Sequence, residues 1–199
     1  MSYELLTAFV VFAVATLFTP GPNNVMLMTS GLNFGFGRTL PHASGVTLGF
    51  GFMVLCVGFG LGAIFAAFPT LYTVIKFAGA AYLLYLAWRI ATADGAMHGE
   101  ASGRPLTFVQ AAAFQWVNAK GWVMAVGAVT TYAAVARFPF NTLLLAGIFT
   151  ALGAVSSLTW LLFGTGLRRI VGDPKAVRVF NIVMAALLVA SLIPVFLEA

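Results

Sequence analysis

Charged side chains are scarce in this chain of 199 residues: Asp, Glu, Lys and Arg together make up 8% of it, whereas 61% is hydrophobic. The mean hydropathy is +1.01. An ordinary soluble domain carries charge on about a quarter of its residues. The shortage excludes a normal water-exposed surface and predicts an all-α integral membrane protein. The length favours one transmembrane domain over residues 1–199, embedded in the lipid bilayer.

Acidic residues are absent from the apolar segments, and cysteine is nearly absent from the chain. The acidic residues lie at segment ends or in connections: Glu4, Asp94, Glu100, Asp173 and Glu198. This excludes the buried carboxylate that pumps and transporters commonly use to carry protons. Cys56 has no partner for a disulfide or a cysteine metal cluster. No nucleophile–base pair or phosphate loop is present, so we predict no enzyme, no metal and no cofactor.

Two further features are missing. The net charge of +5 comes without a basic helix or interleaved aromatic and basic residues, so we expect no nucleic-acid partner. No basic region precedes the first apolar segment and no small-residue cleavage site follows it. The first helix is therefore expected to act as its own insertion signal and to remain in place.

Six apolar segments predict six transmembrane helices, with Pro41 opening the second. The predicted spans are 4–28, 40–66, 71–91, 106–134, 141–163 and 177–196. A stretch rich in small and polar residues, about 93–105, predicts a linker near the middle of the chain. It would join repeat 1, about 1–92, to repeat 2, about 106–199.

Two of these segments are interrupted at corresponding places. The first is broken at Thr19-Pro20-Gly21-Pro22-Asn23-Asn24 and the fourth at Asn118-Ala119-Lys120-Gly121. Paired interruptions are typical of inverted-repeat transporters, whose substrate sites lie at the breaks. The pattern predicts an inverted 3+3 repeat with helices 1 and 4 broken. The alternative for each break is a kink that a neighbouring helix fills.

Basic residues cluster beside alternate connections. Arg137 and Lys76 would lie on one side of the membrane. The other side would hold Arg38, Arg89, Arg104, Arg168, Arg169, Lys175 and Arg178. Because basic residues favour the cytoplasmic side, we expect both termini outside. Close packing of the bundle is the expected role of Gly45, Gly49 and other small residues.

The first break offers groups that suit a zwitterionic ligand. Pro20, Gly21 and Pro22 are expected to form a hinge, because proline removes backbone donors and glycine relaxes the dihedral angles. The restarting helix would present free N–H groups near Asn23 and Asn24, which suits a carboxylate. The free carbonyl groups that end the preceding helix would suit an ammonium group.

The second break adds a deeply placed charge. Lys120 is a functional candidate because charge inside the bilayer is costly, although snorkelling to the headgroups remains an alternative. Asn118 is expected to cap the restarting helix, and Gly121 to loosen it. With Asn23 and Asn24, the predicted substrate-binding residues are Gln115, Asn118, Lys120 and Trp122. For His42, an interfacial polar role is favoured over pH sensing.

The motifs resemble a known family of exporters. They are Thr19-Pro20-Gly21-Pro22-Asn23-Asn24, then Gly35, Arg38, Gly45 and Gly49, then Lys76-x-x-Gly79-x-x-Tyr82-Leu83, then Asn118-Ala119-Lys120-Gly121. Together the chain resembles the LysE/RhtB superfamily of amino-acid exporters. The resemblance implies a six-helix inner-membrane efflux protein that works as a homodimer and uses the proton gradient. Ala119 stands where the family commonly has proline, and Asn23 where some relatives carry an acid.

The leading functional hypothesis is therefore a proton-coupled secondary transporter that exports amino acids or related small metabolites from the cytoplasm. With no carboxylate in the spans, the proton carriers left are His42, Lys120 or the substrate's own ammonium group. The alternative is a passive channel or membrane scaffold without a coupled cycle. Uphill transport in vesicles separates the two.

Overall fold

The computed structural model describes residues 2–61, 67, 69–92, 104–170 and 173–193. In these ranges every regular element is a helix, which confirms the all-helical prediction. The α-helices are α1 (Tyr3–Phe18), α2 (Pro22–Phe34), α3 (Phe36–Cys56), α4 (Pro69–Ala91), α5 (Phe108–Phe114), α6 (Ala119–Thr131), α7 (Phe140–Ile170) and α8 (Pro174–Ala190). A π-helical turn, Val57–Leu61, continues α3, and 3-10 turns occur at Gln115–Val117 and Ala133–Val135.

Two helices of the described chain are long and apolar enough to cross a membrane. They are Phe36–Leu61, with 26 residues, and Phe140–Arg168, with 29 residues. At about 1.5 Å per residue, each exceeds a hydrocarbon core of about 30 Å. Helices α1 and α2, bent by 49° at a short break, make a third span if they count as one. The chain is thus a membrane protein with two or three candidate spans by this criterion.

The helix starts follow from local capping chemistry. The Thr107 side chain accepts a hydrogen bond from the Gln110 backbone at the start of α5, and the Gln110 side chain accepts one from the Thr107 backbone. At α8, the Asp173 carboxylate accepts from the backbone N–H of Lys175 at 2.9 Å, and Pro174 fills the first helical position. Both arrangements satisfy donors that a helix start leaves free.

Two predicted boundaries are wrong. Helix α3 begins at Phe36, so Pro41 lies inside it and does not open it. The chain turns at Gly35, whose φ of +81° favours glycine, and α3 starts at the next residue. Helix α7 runs to Ile170, beyond the predicted end at 163, which places Arg168 inside a helix.

Glycine residues permit the closest helix contacts. A Cβ atom built on Gly49 would lie 2.6 Å from the Cα atom of Ala112, so α3 and α5 approach backbone to backbone. A Cβ atom built on Gly31 of α2 would lie 2.5 Å from the carbonyl oxygen of Leu161. Gly164 of α7 lies against the backbone of Met28. Helix α2 thus packs tightly on α7, which fixes the position of the first break.

Some predictions fall outside the described residues. Of the predicted linker, about 93–105, only Arg104 and Pro105 are described. Residues 62–66 of the second predicted span and 194–196 of the sixth also lie outside. The position of Lys76 falls within α4, and its side chain is not among the described ones.

Candidate functional site

The first break separates α1 from α2 by only three residues. Helix α1 ends at Phe18, and Pro22 occupies the first position of α2. Val25 is the first residue of α2 whose backbone N–H donates to a carbonyl four positions earlier, that of Gly21 at 2.9 Å. The N–H groups of Asn23 and Asn24 therefore have no helical acceptor one turn earlier, and they form the positive end of α2.

The second break is narrower than predicted. Helix α5 tightens into the 3-10 turn Gln115–Val117, and Asn118 is extended, with φ −85° and ψ 101°. Helix α6 then starts at Ala119, so Lys120 and Gly121 lie in its first turn. Asn118 holds the capping position, as expected, but its side chain makes no capping bond. Its Oδ1 atom is buried and has no partner within the described structure.

A lysine from the second break reaches the first. The Nζ atom of Lys120 donates to the carbonyl of Thr19 at 2.8 Å. Asn24 Nδ2 donates to the carbonyls of Leu17 at 2.8 Å and Thr19 at 3.0 Å. Ser156 Oγ also donates to the Leu17 carbonyl, at 2.8 Å. The expectation of free carbonyls at the end of α1 is therefore wrong for Leu17 and Thr19, because the protein's own donors occupy them.

A pair of amides also joins the two breaks. Asn23 Nδ2 donates to Gln115 Oε1 at 2.8 Å, and Gln115 Nε2 returns a bond to Asn23 Oδ1 at 3.2 Å. Gln115 Nε2 also donates to the Ala111 carbonyl at 2.9 Å. Gln115 is completely buried. Its amide is thus engaged both by Asn23 and by the Ala111 carbonyl.

A polar cavity of about 40 Å³ lies between the breaks. Its polar lining includes Thr16, Asn23, Asn24, Thr47, Asn118, Lys120, Ser156 and Ser157. One water needs at least about 10–15 Å³ of such volume, so the cavity holds about three waters. Gly21 forms part of the wall, because a Cβ atom there would lie 2.9 Å from Cδ of Lys120. The Lys120 side chain therefore lies against Gly21 at the wall of the cavity.

The structure brings most of the predicted site residues to this cavity. Those that line it are Gly21, Pro22, Asn23, Asn24, Asn118, Lys120 and Gly121. Gln115 lies behind the wall and holds Asn23. Trp122 does not line the cavity: it is buried in the core, with Nε1 donating to the Trp116 carbonyl at 2.9 Å. Pro20 is exposed and lies outside the lining.

The sequence analysis missed the hydroxyl groups of the opposite wall. Ser156 and Ser157 of α7 line the cavity, and Thr47 of α3 donates to Ser157 Oγ at 3.2 Å. Adjacent serines in the middle of an apolar segment were the available signal. Their partners on α3 are not visible in the sequence, because they depend on how α3 packs against α7.

His42 is placed differently from the prediction. It is only 2% exposed, and neither ring nitrogen has a hydrogen-bond partner within the described structure. It lines a second cavity, beside the C-terminal half of α2. The favoured interpretation of His42 as an interfacial residue is therefore wrong, because α3 buries it inside the protein.

Charge-poor helices of spanning length, with a small polar cavity between two helix breaks, define a multi-pass membrane transport protein. Residues 14–192 match the model of the LysE type translocator family. A "Cysteine/O-acetylserine efflux protein" of Escherichia coli (strain K12) is 32% identical over 200 residues, covering 98% of this chain and 100% of the relative. The protein of the same name from Shigella sonnei (strain Ss046) has the same identity and coverage. No solved structure matches.

The chain therefore belongs to the LysE type translocator family, which confirms the resemblance seen in its motifs. It is a translocator of the inner membrane and not an enzyme.

Proposed function

We propose that this protein is a secondary transporter that exports amino acids or related small metabolites from the cytoplasm, with its substrate site at the cavity between the breaks. One observation carries the proposal: Lys120 of the second break donates to the Thr19 carbonyl of the first, across a polar cavity. The relatives are named for efflux of cysteine and O-acetylserine, which supports a small α-amino acid as the substrate.

The cavity offers positive groups to a carboxylate. The N–H groups of Asn23 and Asn24 open α2, and the helix dipole makes this end positive. Lys120 contributes a full charge on the same cavity wall. Among the described residues that line this cavity, none is Asp or Glu that could neutralise the charge. Lys120 and the start of α2 are therefore the proposed carboxylate clamp.

The same cavity offers acceptors to an ammonium group. Asn118 lines it, and the buried Oδ1 atom of this residue has no partner within the described structure. The Thr19 carbonyl, which now accepts from Lys120, is a second acceptor of the same kind. A substrate ammonium group can replace Lys120 at Thr19, and Lys120 is then free to pair with the substrate's carboxylate. Lys120 is thus proposed to take the place at Thr19 that the substrate ammonium group would hold.

Substrate entry requires the breaks to move apart. A cavity that holds about three waters is smaller than an amino acid. Pro20, Gly21, Pro22 and Gly121 are the proposed hinge, since they lie at the two helix starts around Lys120. Opening at this hinge on alternate sides of the membrane would give the alternating access that a secondary transporter needs.

We further propose six membrane spans arranged as an inverted repeat, with the first and fourth broken. The packing supports this arrangement, because α3 contacts α7 and α4 contacts α8, which are corresponding helices of the two halves.

At one end of the bundle, Arg168 approaches Gly35, and Arg89 and Arg104 line the same cavity as Asn33 and Phe34. At the other end, Ser2 bonds to Val135 and Phe59 contacts Phe138. The basic end would be cytoplasmic and both termini outside.

Proton coupling and assembly as a homodimer complete the proposal, both implied by the motifs. The second candidate function is a passive channel or scaffold. In that case the two helix breaks would serve only to pack the helices and would bind no substrate. The test is uptake of O-acetyl-L-serine and L-cysteine into inside-out vesicles under an imposed proton gradient. Accumulation above the outside concentration supports the transporter. Equilibration that stops at equal concentrations would identify a channel, and no uptake above that of vesicles without the protein would identify a scaffold.

A further inference from the structure

We propose that the second cavity is an entry chamber that binds the substrate's carboxylate before it reaches the breaks. This inference rests on the proposed function and adds a second binding site to it. The cavity has a volume of about 270 Å³, much larger than that between the breaks. Its polar lining consists of Thr29, Ser30, Asn33, His42, Arg89, Thr92 and Arg104.

Two buried polar residues that line this chamber have side-chain atoms with unused hydrogen-bonding capacity. Thr29 is 5% exposed and His42 is 2% exposed. The Thr29 hydroxyl and both ring nitrogens of His42 have no partner within the described structure. Nearly all buried polar side-chain atoms in proteins are paired, so such a cluster calls for a ligand or water in the cavity. A hydroxyl and an imidazole can both donate to a carboxylate oxygen.

Two arginines give the chamber its charge preference. Arg89, near the end of α4, and Arg104, before α5, both line it, and both also line an adjoining space with Gln110. Among the described residues that line either space, none is Asp or Glu. Guanidinium groups bind carboxylates through paired, charge-assisted hydrogen bonds. The chamber thus favours a small anion or the carboxylate end of an amino acid.

The chamber also lies next to the proposed transport site. Met26 lines the chamber, and Asn23 lines the cavity between the breaks. These residues are three positions apart on α2, or about 4.5 Å along its axis. The buried Met26 side chain and the Asn23–Gln115 amide pair stand at this junction. At this point the two cavities are therefore about one helical turn apart along α2.

The test compares charge removal inside and outside the chamber. Arg89→Gln, Arg104→Gln and their double variant remove its guanidinium groups, while Arg178→Gln removes an exposed arginine of α8 that lines neither cavity. In vesicles carrying out O-acetyl-L-serine uptake, we expect KM to rise about tenfold in each single variant, as the loss of a charge-assisted hydrogen bond would cause. The maximal rate should change less than about twofold, because the site at the breaks is intact.

Acetate serves as a carboxylate probe without an ammonium group. It should inhibit the uptake by wild type competitively and lose this effect in the double variant. An unchanged KM and unchanged acetate inhibition in the double variant would overturn the proposal. So would an equal rise in KM for Arg178→Gln, because a general effect of surface charge would then explain the result.

Thr29→Val provides a test that a structural role cannot mimic. The hydroxyl group has no partner to lose, so thermal stability in detergent should stay the same or rise, while KM rises. A fall in stability with unchanged KM would contradict the proposal. If wild type transports neither O-acetyl-L-serine nor L-cysteine, calorimetric titration of the purified protein with acetate tests carboxylate binding in the chamber independently of transport. Binding that the double variant loses supports the chamber, and equal or absent heat in both proteins rejects it.

Discussion

Lys120 and Thr19 are 101 positions apart in the chain, yet the lysine ammonium group donates to the threonine carbonyl at 2.8 Å. The bond joins the start of α6 to the end of α1, beside the cavity between the breaks. Under the proposed function, a substrate ammonium group would replace Lys120 at this carbonyl.

Lys120→Met should abolish export of O-acetyl-L-serine from expressing cells. Methionine keeps the length of the side chain but supplies neither a donor for Thr19 nor a charge for the carboxylate. Membrane insertion should become easier, because removal of a charge from a spanning segment is favourable by about 2.5–3.5 kcal/mol on insertion scales. Lys175→Met, at an exposed position in α8, is the matched control. Normal export by Lys120→Met would show that Lys120 only snorkels to the headgroups.

Gly21→Ala should reduce export without unfolding the protein. The φ of Gly21 is −172°, an extended conformation that alanine adopts freely. The new methyl group would lie 2.9 Å from Cδ and 3.1 Å from Nζ of Lys120, and would push the ammonium group from Thr19. Gly147→Ala, in α7, is the control, because a Cβ atom there would meet nothing within 4 Å and the residue does not line the cavity. It should retain export and gain up to about 1 kcal/mol of stability, since alanine favours helix. Equal activity of both variants would exclude a role for the Gly21–Lys120 contact.

Removing either member of the Asn23–Gln115 pair should destabilise the protein by about 1–3 kcal/mol, because the remaining amide is left partly unsatisfied. Asn23→Leu and Gln115→Leu together should cost less than the sum of the single changes, with a coupling of about 0.5–3 kcal/mol. The measurement is unfolding by denaturant in detergent for the four proteins of the cycle. Strict additivity would mean that the two amides do not act as a pair.

The position of the first break could be read from the sequence, whereas the contacts across it could not. Pro20-Gly21-Pro22 is a local signal, since proline lacks the N–H that a continuous helix needs. The partners of Asn23 and Lys120 lie 92 and 101 positions away, so they depend on how the two halves pack. Trp122 was assigned to the site because it is near Lys120 in sequence, but the helix turns its indole towards Trp116.

The errors at the helix ends have a similar origin. Pro41 looked like a helix start, but Gly35 is the residue that turns the chain, and only its backbone conformation reveals this. A proline close to the first turn of a long apolar helix is tolerated, because packing stabilises the many turns that follow it. The burial of His42 follows from this corrected helix boundary. With α3 beginning at Phe36, His42 lies nearly two turns inside the helix and faces the bundle.

Reporter fusions should place the linker and the C-terminus on opposite sides of the membrane. The charge distribution predicts that a reporter after Asp94 is cytoplasmic and one after Ala199 is outside. Alkaline phosphatase, active only outside, and a green fluorescent protein, fluorescent in the cytoplasm, give complementary signals at each position. Finding both positions on the same side would contradict the six-span arrangement.

Lys120 should matter more than His42 for proton-linked export. His42 lines the entry chamber and does not contact the cavity between the breaks, whereas Lys120 does. Uptake into inside-out vesicles is measured across pH with and without a proton gradient, for wild type, His42→Gln and Lys120→Met. His42→Gln should keep its response to the gradient. Loss of that response in His42→Gln, with Lys120→Met still coupled, would reverse this order.

The amide pairs have an electrical consequence. Asn23 pairs with Gln115, and Asn33 of α2 pairs reciprocally with Asn181 of α8, at 2.9 and 3.2 Å. Each pair joins the two halves through neutral groups, so breaking it moves no net charge through the membrane field. A charge that crosses the full field exchanges about 2.3 kcal/mol per 100 mV, whereas an amide exchanges almost nothing. We therefore expect separation of the two halves to be independent of the membrane potential, and any voltage dependence of the proposed cycle to come from Lys120 and its substrate.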